Sequence, residues 1–358
     1  MVPAPGPRTG ARPRRRAGGR GRGRLADGHA AVLQERPCWG SLEDDALFAL
    51  FRKTEPKVQE IAPGHDPLGD LGPRGQCRIQ GLDDDRVQWQ VEFAVHQLDG
   101  LRGQDDGRWP NEFLSPAMVP LGGGLNGMVS ENRAWVALPP SCLGRPGEFD
   151  GPTVVDASVG NKDVELGGER GERDRTALAR AVVRVANGTL RQLGCKDSLA
   201  DPGKLPPVSR TTPTQMDALC GIKGLKAPDA ERESLRRTRV TSGQGGPVRT
   251  CDLTHSGRPW STSVRFMTVE DPQLAKIFSM AAMTGGPRIK GTKGYGTLTP
   301  SRAVYERTCR TGRAVFLVEQ RQSDRGYTLP RELLPAYAES EAGRLGCGPV
   351  EMKMPAGS

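Results

Sequence analysis

The sequence predicts an α+β fold made of two tandem copies of a small disulfide-bearing α/β sandwich, each an antiparallel sheet packed by helices. Three observations predict it. The chain has 358 residues, which suits two domains of ordinary size. Its eight cysteines divide into two sets of four whose intervals are short, long and intermediate in both sets. Strand-like and helix-like segments follow these cysteines in the same order in both halves.

The cysteines favour disulfides over metal binding. They are Cys38, Cys77, Cys142, Cys195, Cys220, Cys251, Cys309 and Cys347. No CxxC pair occurs, whereas zinc ligands usually come in close pairs. An even number at wide spacing is typical of a disulfide framework in an oxidising compartment. Unpaired core thiols and a metal site are the less favoured alternatives.

The first copy reads as a helix, strands and a final helix. The segment SLEDDALFALF after the first cysteine predicts a short helix with Ser41 as its N-cap. QCRIQGLDDDRVQWQVEFAV alternates with period two, so Val91 and Phe93 share one face of a half-buried strand. NRAWVALPPSC and TVVDASV predict further strands. The charged, Gly-containing residues 160–175 predict an exposed loop.

The second copy repeats this order. RTCDLTHSGRPWSTSVRFMTV places Val264 and Phe266 on one strand face, and SRAVYERTC matches NRAWVALPPSC. AVFLVEQ predicts the strand that follows. DPQLAKIFSMAAM predicts a middle helix, Asp271 to Met283, because Asp-Pro is a common helix start.

Both copies end in a helix that closes with Leu-Gly-Cys. The apolar residues with helical spacing are Leu178, Val182, Val185, Leu190 and Leu193 in the first copy, and Leu334, Tyr337, Ala338, Ala342 and Leu345 in the second. Gly194 and Gly346 suit the helix end, where a left-handed residue is often needed. We therefore predict an internal duplication; chance resemblance in a Gly- and Leu-rich chain is the alternative.

These signals set the predicted boundaries and disulfides. The segments are a disordered Arg/Gly-rich arm (1–30), the first four-cysteine domain (31–195), a Pro-rich linker (196–217), the second four-cysteine domain (218–348) and a tail (349–358). Four cysteines allow three pairings in each domain. Their positions favour bridges that tie the N-terminal segment and the last helix to the sheet. The predicted pairs are Cys38–Cys77, Cys142–Cys195, Cys220–Cys251 and Cys309–Cys347.

The positive charge is concentrated at the N-terminus. The formal net charge is +9, but residues 1–24 carry eight Arg and no acidic residue, so the rest of the chain is nearly neutral. If this segment bound nucleic acid, its arginines would contact the phosphates of the backbone. They are Arg12, Arg14, Arg15, Arg16, Arg20, Arg22 and Arg24. It has no aromatic residue to stack on a base, so we favour a disordered tail.

Three short motifs carry a resemblance. CWGSL at the first cysteine, CRI at the second and LGC at the helix end make the chain resemble uncharacterised, Streptomyces-like envelope proteins of actinobacteria, over about residues 38–347. The resemblance implies a secreted or membrane-anchored protein with duplicated four-cysteine domains. It implies no activity. The N-terminal residues include no signal peptide, so the expected anchor is missing from the chain as given.

Motifs for catalysis are weak. The four histidines, His29, His65, His96 and His255, do not occupy equivalent positions in the two copies. HExxH, GxSxG and P-loop patterns are not found. LDDDR (82–86) predicts a solvated turn rather than a calcium site, and LGGGLNG (121–127) a loop rather than a phosphate cradle. Trp109 is predicted to lie in a loop, where it could contact a partner.

The expected function is therefore an extracytoplasmic, non-enzymatic binding or structural module of the cell envelope. We expect no cofactor and no metal. The partner would be an unidentified protein or cell-wall component, not nucleic acid, and the protein would meet a membrane only through the missing anchor. Two alternatives are kept: a hydrolase with an unrecognised site, and a nucleic-acid binder using the Arg-rich arm.

Overall fold

Two antiparallel β-sheets, each packed against one long helix, make up the fold. The computed structural model describes residues 36–43, 45–46, 56–65, 72–83, 86–98, 100, 108–143, 147, 150–160, 169–255, 262–321 and 328–356, with the side chains at 83, 142, 169 and 170 excepted. These residues belong to one unit, residues 35–358. The predicted arm, residues 1–30, lies outside the described residues.

The first sheet has seven described strands. They are β1 (Pro56–Gly64), β2 (Arg74–Asp83), β3 (Arg86–Gln97), β4 (Val119–Pro120), β5 (Gly127–Val129), β6 (Arg133–Ala137) and β7 (Thr153–Gly160). Their spatial order is β1-β2-β3-β7-β6-β5-β4, and all neighbours are antiparallel. The alternation predicted for β3 is confirmed, because Val91, Phe93 and Val95 are buried in one core.

The second sheet has nine described strands. They are β8 (Thr212–Pro213), β9 (Leu235–Val240), β10 (Val248–His255), β11 (Thr262–Val269), β12 (Arg288–Gly291), β13 (Gly294–Leu298), β14 (Arg302–Cys309), β15 (Gly312–Gln320) and β16 (Met352–Lys353). Between the two short edge strands, the order is β9-β10-β11-β15-β14-β13-β12. This order matches the first sheet strand for strand. Antiparallel sheets with a few helices agree with the predicted α+β class.

The helices are short except for the last one of each half. They are α1 (Pro37–Gly40), α2 (Pro140–Leu143), α3 (Glu169–Gln192), α4 (Pro272–Ala275), α5 (Ser279–Thr284) and α6 (Leu329–Arg344). Lys276–Phe278 is a 3₁₀ turn that joins α4 to α5, so the predicted middle helix is present. Its N-cap is Asp271, whose carboxylate accepts a hydrogen bond from the Leu274 N–H at 2.7 Å.

Both Leu-Gly-Cys segments end their helices in the same way. Gly194 and Gly346 have φ of +74° and +68°, the left-handed region that glycine enters without steric cost. The N–H of the next cysteine then donates to the carbonyl five residues earlier, at 2.9 Å after α3 and 2.8 Å after α6. This is the Schellman arrangement, which satisfies helix carbonyls that would otherwise lack a partner.

Three apolar layers hold the unit together. One lies between the first sheet and α3, and another between the second sheet and α6. The third is shared by the two sheets, which face each other with the sides opposite to their helices. It contains Trp109 and Trp135 from the first half, and Phe278 and Leu317 from the second.

The Pro-rich segment 196–217 is attached to both halves. The Gly203 N–H donates to the Leu121 carbonyl at 2.9 Å, and Leu199 and Leu205 pack against the first core. Farther along, Thr212–Pro213 pairs with β9 of the second sheet. In the last segment, Met352–Lys353 pairs with β12, so the residues predicted as a tail contribute a strand.

One local prediction is wrong and another lies mainly outside the described residues. Residues 169–175, expected to be part of an exposed loop, form the first turns of α3. Arg175 is only 3% exposed there because it packs on the sheet side near Glu131 and Glu172. Of the helix predicted after Cys38, residues 44 and 47–51 lie outside the described part of the chain.

Candidate functional site

Three disulfides join the predicted partners. They are Cys38–Cys77, Cys220–Cys251 and Cys309–Cys347, with Cα atoms 5.3, 5.9 and 4.6 Å apart. Cys195 is also disulfide-bonded, but the Cys142 side chain lies outside the described residues. In each half, the first bridge ties the N-terminal turn to the second strand of the shared seven-strand order, which is β2 in the first half and β10 in the second. Cys309–Cys347 ties the end of α6 to β14.

The first cysteine of each half sits in an unusual turn. Cys38 and Cys220 both have left-handed backbone, with φ of 54° and 59°, and a left-handed glycine follows nearby. The Cys38 and Trp39 amides donate to the Glu60 carboxylate at 2.5 and 3.3 Å. Glu60, Cys38 and Cys77 have the spacing of a metal site, but the two sulfurs are bonded to each other. The Glu60 carboxylate therefore satisfies the backbone N–H groups of this turn.

The histidines are spread over the unit. His65 follows β1, His96 lies near the end of β3 and His255 ends β10, whereas His29 lies outside the described residues. In LDDDR, Asp84 and Asp85 also lie outside them. The glycine loop 121–127 packs on the Pro-rich segment, where a Cβ on Gly203 would come within 2.8 Å of the Gly123 nitrogen. Close contact explains Gly203, and left-handed backbone with φ of +63° to +75° explains Gly122, Gly123 and Gly124.

Three polar side chains lie together with His96 on the first sheet, those of Arg108, Asp156 and Ser158. His96 Nε2 lies 2.8 Å from Oδ2 of Asp156, which is 1% exposed. Arg108 donates to the Ser158 hydroxyl at 2.6 Å and lies 3.8 Å from the other Asp156 oxygen. Trp109, predicted to be a loop contact, is instead fully buried and stacks on Phe113 at 4.9 Å. It belongs to a five-residue π-helical turn that contributes Trp109 and Phe113 to the shared layer.

A buried ion pair of the second sheet is also hydrogen-bonded to the first half. Arg265 on β11 donates twice to Asp252 on β10, at 2.6 and 2.5 Å, and its side chain is 2% exposed. A third donor of Arg265 bonds to the Pro110 carbonyl in the first half. Thr250 also reaches across, to the Leu114 carbonyl at 2.6 Å. These polar contacts fix the orientation of the two halves.

In one cavity of the described residues, the charged side chains are paired with one another. This cavity, of about 580 Å³, lies between the halves and includes Arg249, Glu270 and Arg344. Arg344 is paired with Glu270 at 2.6 Å and with Glu341 at 2.7 Å, so these charges stabilise the fold. These carboxylates raise the pKa of Arg344 in spite of its burial.

A further cavity among the described residues is basic, and we call it the basic pocket. It has a volume of about 630 Å³, and its walls are the β12–β13 hairpin, the end of β14 and Cys347. The charged residues lining it are Lys293, Glu306, Arg307 and Arg310. Sequence reasoning missed it because it is formed by residues that are distant along the chain, and isolated basic residues are normally solvated. The nearest signal was the Gly-Thr-Lys-Gly turn of the hairpin.

The Arg-rich arm predicted for nucleic acid, including Arg12 and Arg24, lies outside the described residues, so that hypothesis stays a prediction. Among the described residues, the helices are too short or too polar to cross a membrane. Comparison with known proteins finds no match: no family model, no curated protein and no solved structure is similar to the chain.

Proposed function

We propose that the chain is an extracytoplasmic, non-enzymatic binding or structural module of the cell envelope. The disulfides carry this proposal. Such bonds persist in oxidising compartments and are rare in the cytosol, where thiols are kept reduced. Three described bridges, each closing a loop of 31 to 39 residues, act as a framework rather than as an isolated redox pair.

We also propose that the two halves arose by duplication of one four-cysteine domain. Three features support this: the same seven-strand order, a left-handed first cysteine bonded to the second strand, and the same helix ending at Gly194 and Gly346. The resemblance to actinobacterial envelope proteins rests on the sequence motifs CWGSL, CRI and LGC. A module of this kind would bind an unidentified protein or cell-wall component.

Co-sedimentation and surface proteolysis test the proposal. Purified oxidised protein is mixed with isolated actinobacterial cell walls and centrifuged, and intact producing cells are treated with protease. We expect the protein to sediment with the walls and to be degraded on intact cells while a cytoplasmic protein survives. Protein that stays soluble and is protected in whole cells would contradict the proposed location and role.

A hydrolase is the second candidate because His96 and buried Asp156 are paired at 2.8 Å, the contact that orients a catalytic histidine. The Ser158 hydroxyl accepts a hydrogen bond from Arg108, which competes with its use as a nucleophile. A panel of ester and peptide substrates tests this function. Activity lost in His96→Ala but kept in the control His255→Ala would favour the hydrolase over the binding module.

A further inference from the structure

We propose that the basic pocket binds a phosphoryl group, as the free phosphate ion or as a phosphate ester. The inference gives the proposed binding module a ligand class. Phosphate binding is tested with purified protein in solution. It can therefore fail while the proposed extracytoplasmic location holds, and the location can fail while phosphate binding holds. The argument rests on unpaired positive charge, on a buried donor and on the shape of the hairpin.

The positive charge of the basic pocket is not neutralised within the described residues. Lys293 and Arg310 are exposed and form no ion pair there. Arg307 is 4% exposed and donates to the Cys347 carbonyl at 2.9 Å, which is a neutral partner. Three cations that converge on one cavity favour a ligand with more than one negative charge, which phosphate carries near neutral pH.

Glu306 does not cancel this charge. Its carboxylate accepts from the Ser279 hydroxyl at 2.7 Å and lies 3.4 Å from Arg313, so it is already compensated. An exposed carboxylate, that of Glu351, accepts a hydrogen bond from the Thr292 hydroxyl of the hairpin at 2.9 Å. It weakens the positive field at the rim of the pocket.

A buried donor marks the inner wall of the pocket. Arg307 Nε is inaccessible to solvent and has no hydrogen-bond partner among the described residues. Buried N–H groups are normally satisfied, so Nε is an unused donor that a ligand oxygen would meet if the guanidinium turned towards the cavity. The neighbouring Tyr305 hydroxyl is also without a partner there. Burial raises the pKa of this phenol, so it stays neutral and adds no repulsion.

The hairpin backbone lies close to the buried Tyr305 side chain. A Cβ on Gly291 or Gly294 would lie 2.1 or 2.6 Å from the Tyr305 hydroxyl, so no larger residue fits without rearrangement. Cys347 is held beside the pocket by its bond to Cys309. The backbone of the pocket walls is therefore held in place before a ligand binds, which lowers the entropic cost of binding.

Titration calorimetry of the oxidised full chain with inorganic phosphate and with glycerol phosphate tests the proposal at low and at physiological salt. We expect binding that weakens with salt. Lys293→Gln and Arg310→Gln should each weaken it by about fivefold or more, because each removes an exposed charge-assisted contact. Glu351→Gln should tighten it, and the exposed control Lys223→Gln should leave it unchanged. Vesicles that contain phosphatidate, compared with neutral vesicles, show whether a lipid headgroup supplies the phosphate.

Circular dichroism and thermal unfolding of each variant show that the fold is kept. The result that overturns the proposal is no binding of phosphate, ester or anionic vesicles, or binding that Lys293→Gln and Arg310→Gln leave unchanged. Equal affinity for the monocarboxylate acetate would also overturn it, because it would show that the pocket does not prefer a multiply charged anion.

Discussion

Removing Arg265 should destabilise the protein strongly, because this residue is the buried ion-pair partner of Asp252 and also donates to the Pro110 carbonyl of the first half. In Arg265→Met, Asp252 keeps one described hydrogen bond, from Thr262 at 3.0 Å, and loses two charge-assisted bonds. Breaking a buried ion pair typically costs about 3 to 5 kcal/mol, since one charge is left uncompensated. The field of Asp252 also acts on Arg239 and Arg321, whose charges partly replace that of Arg265. We therefore expect the lower end, about 3 kcal/mol.

Urea unfolding of a double-mutant cycle measures this loss. Asp252→Leu alone should cost a similar amount, because it leaves Arg265 buried without its partner. The double variant Arg265→Met/Asp252→Leu should lose far less than the sum, since matched apolar residues often replace a buried pair at little cost. A loss below about 1 kcal/mol in Arg265→Met, or strictly additive losses in the double variant, would refute the reasoning.

The remaining predictions concern a disulfide, a helix end and an exposed ion pair. Replacing Cys309 and Cys347 together by Ala opens a loop with a sequence separation of 38, which the chain-entropy model values at about 4 kcal/mol; a loss under 1 kcal/mol in urea unfolding would contradict that value. Gly346→Ala should cost about 1 kcal/mol because φ is +68°, whereas Gly343→Ala, inside α6 with open space at its Cβ, should gain up to about 1 kcal/mol. Thermal unfolding compares these two variants, and equal effects would show that the backbone conformation is not decisive. The Arg232 guanidinium holds the pKa of Asp217 below its ordinary 3.8. The stability from this carboxylate is therefore present above pH 3.8 and disappears as the pH falls through the lowered folded-state pKa. The difference between wild type and Asp217→Asn should shrink between pH 6 and pH 2.5, and a difference that grows on acidification would disprove this assignment.

Local patterns in the sequence predict much of each half. Period-two alternation places Phe93 and Phe266 on the helix-facing sides of their sheets. Leu-Gly-Cys predicts the left-handed helix ends because only glycine enters that region freely. Both signals are local: the backbone of a few residues determines them, and no distant part of the chain is needed.

The contact between the halves could not be predicted in this way. Strands with one buried face were expected, but almost every residue of β11 is buried because a second sheet covers its other face. The near-continuous apolar run in AVFLVEQ is the signal of a strand that is buried on both sides. Trp109 and Phe113 look like loop residues until their place between the sheets is known. The basic pocket likewise depends on Lys293, Arg307 and Arg310 meeting in the folded chain.

Peptide mapping without reductant, on protein recovered from outside the cytoplasmic membrane of producing cells, tests the central claim most directly. A disulfide-framed extracytoplasmic module should yield Cys38–Cys77, Cys220–Cys251 and Cys309–Cys347 as linked peptides. The mapping also decides the predicted bond between Cys142 and Cys195. Free thiols at these positions in exported protein, or a bond such as Cys38–Cys195 that crosses the predicted pairs, would contradict the account.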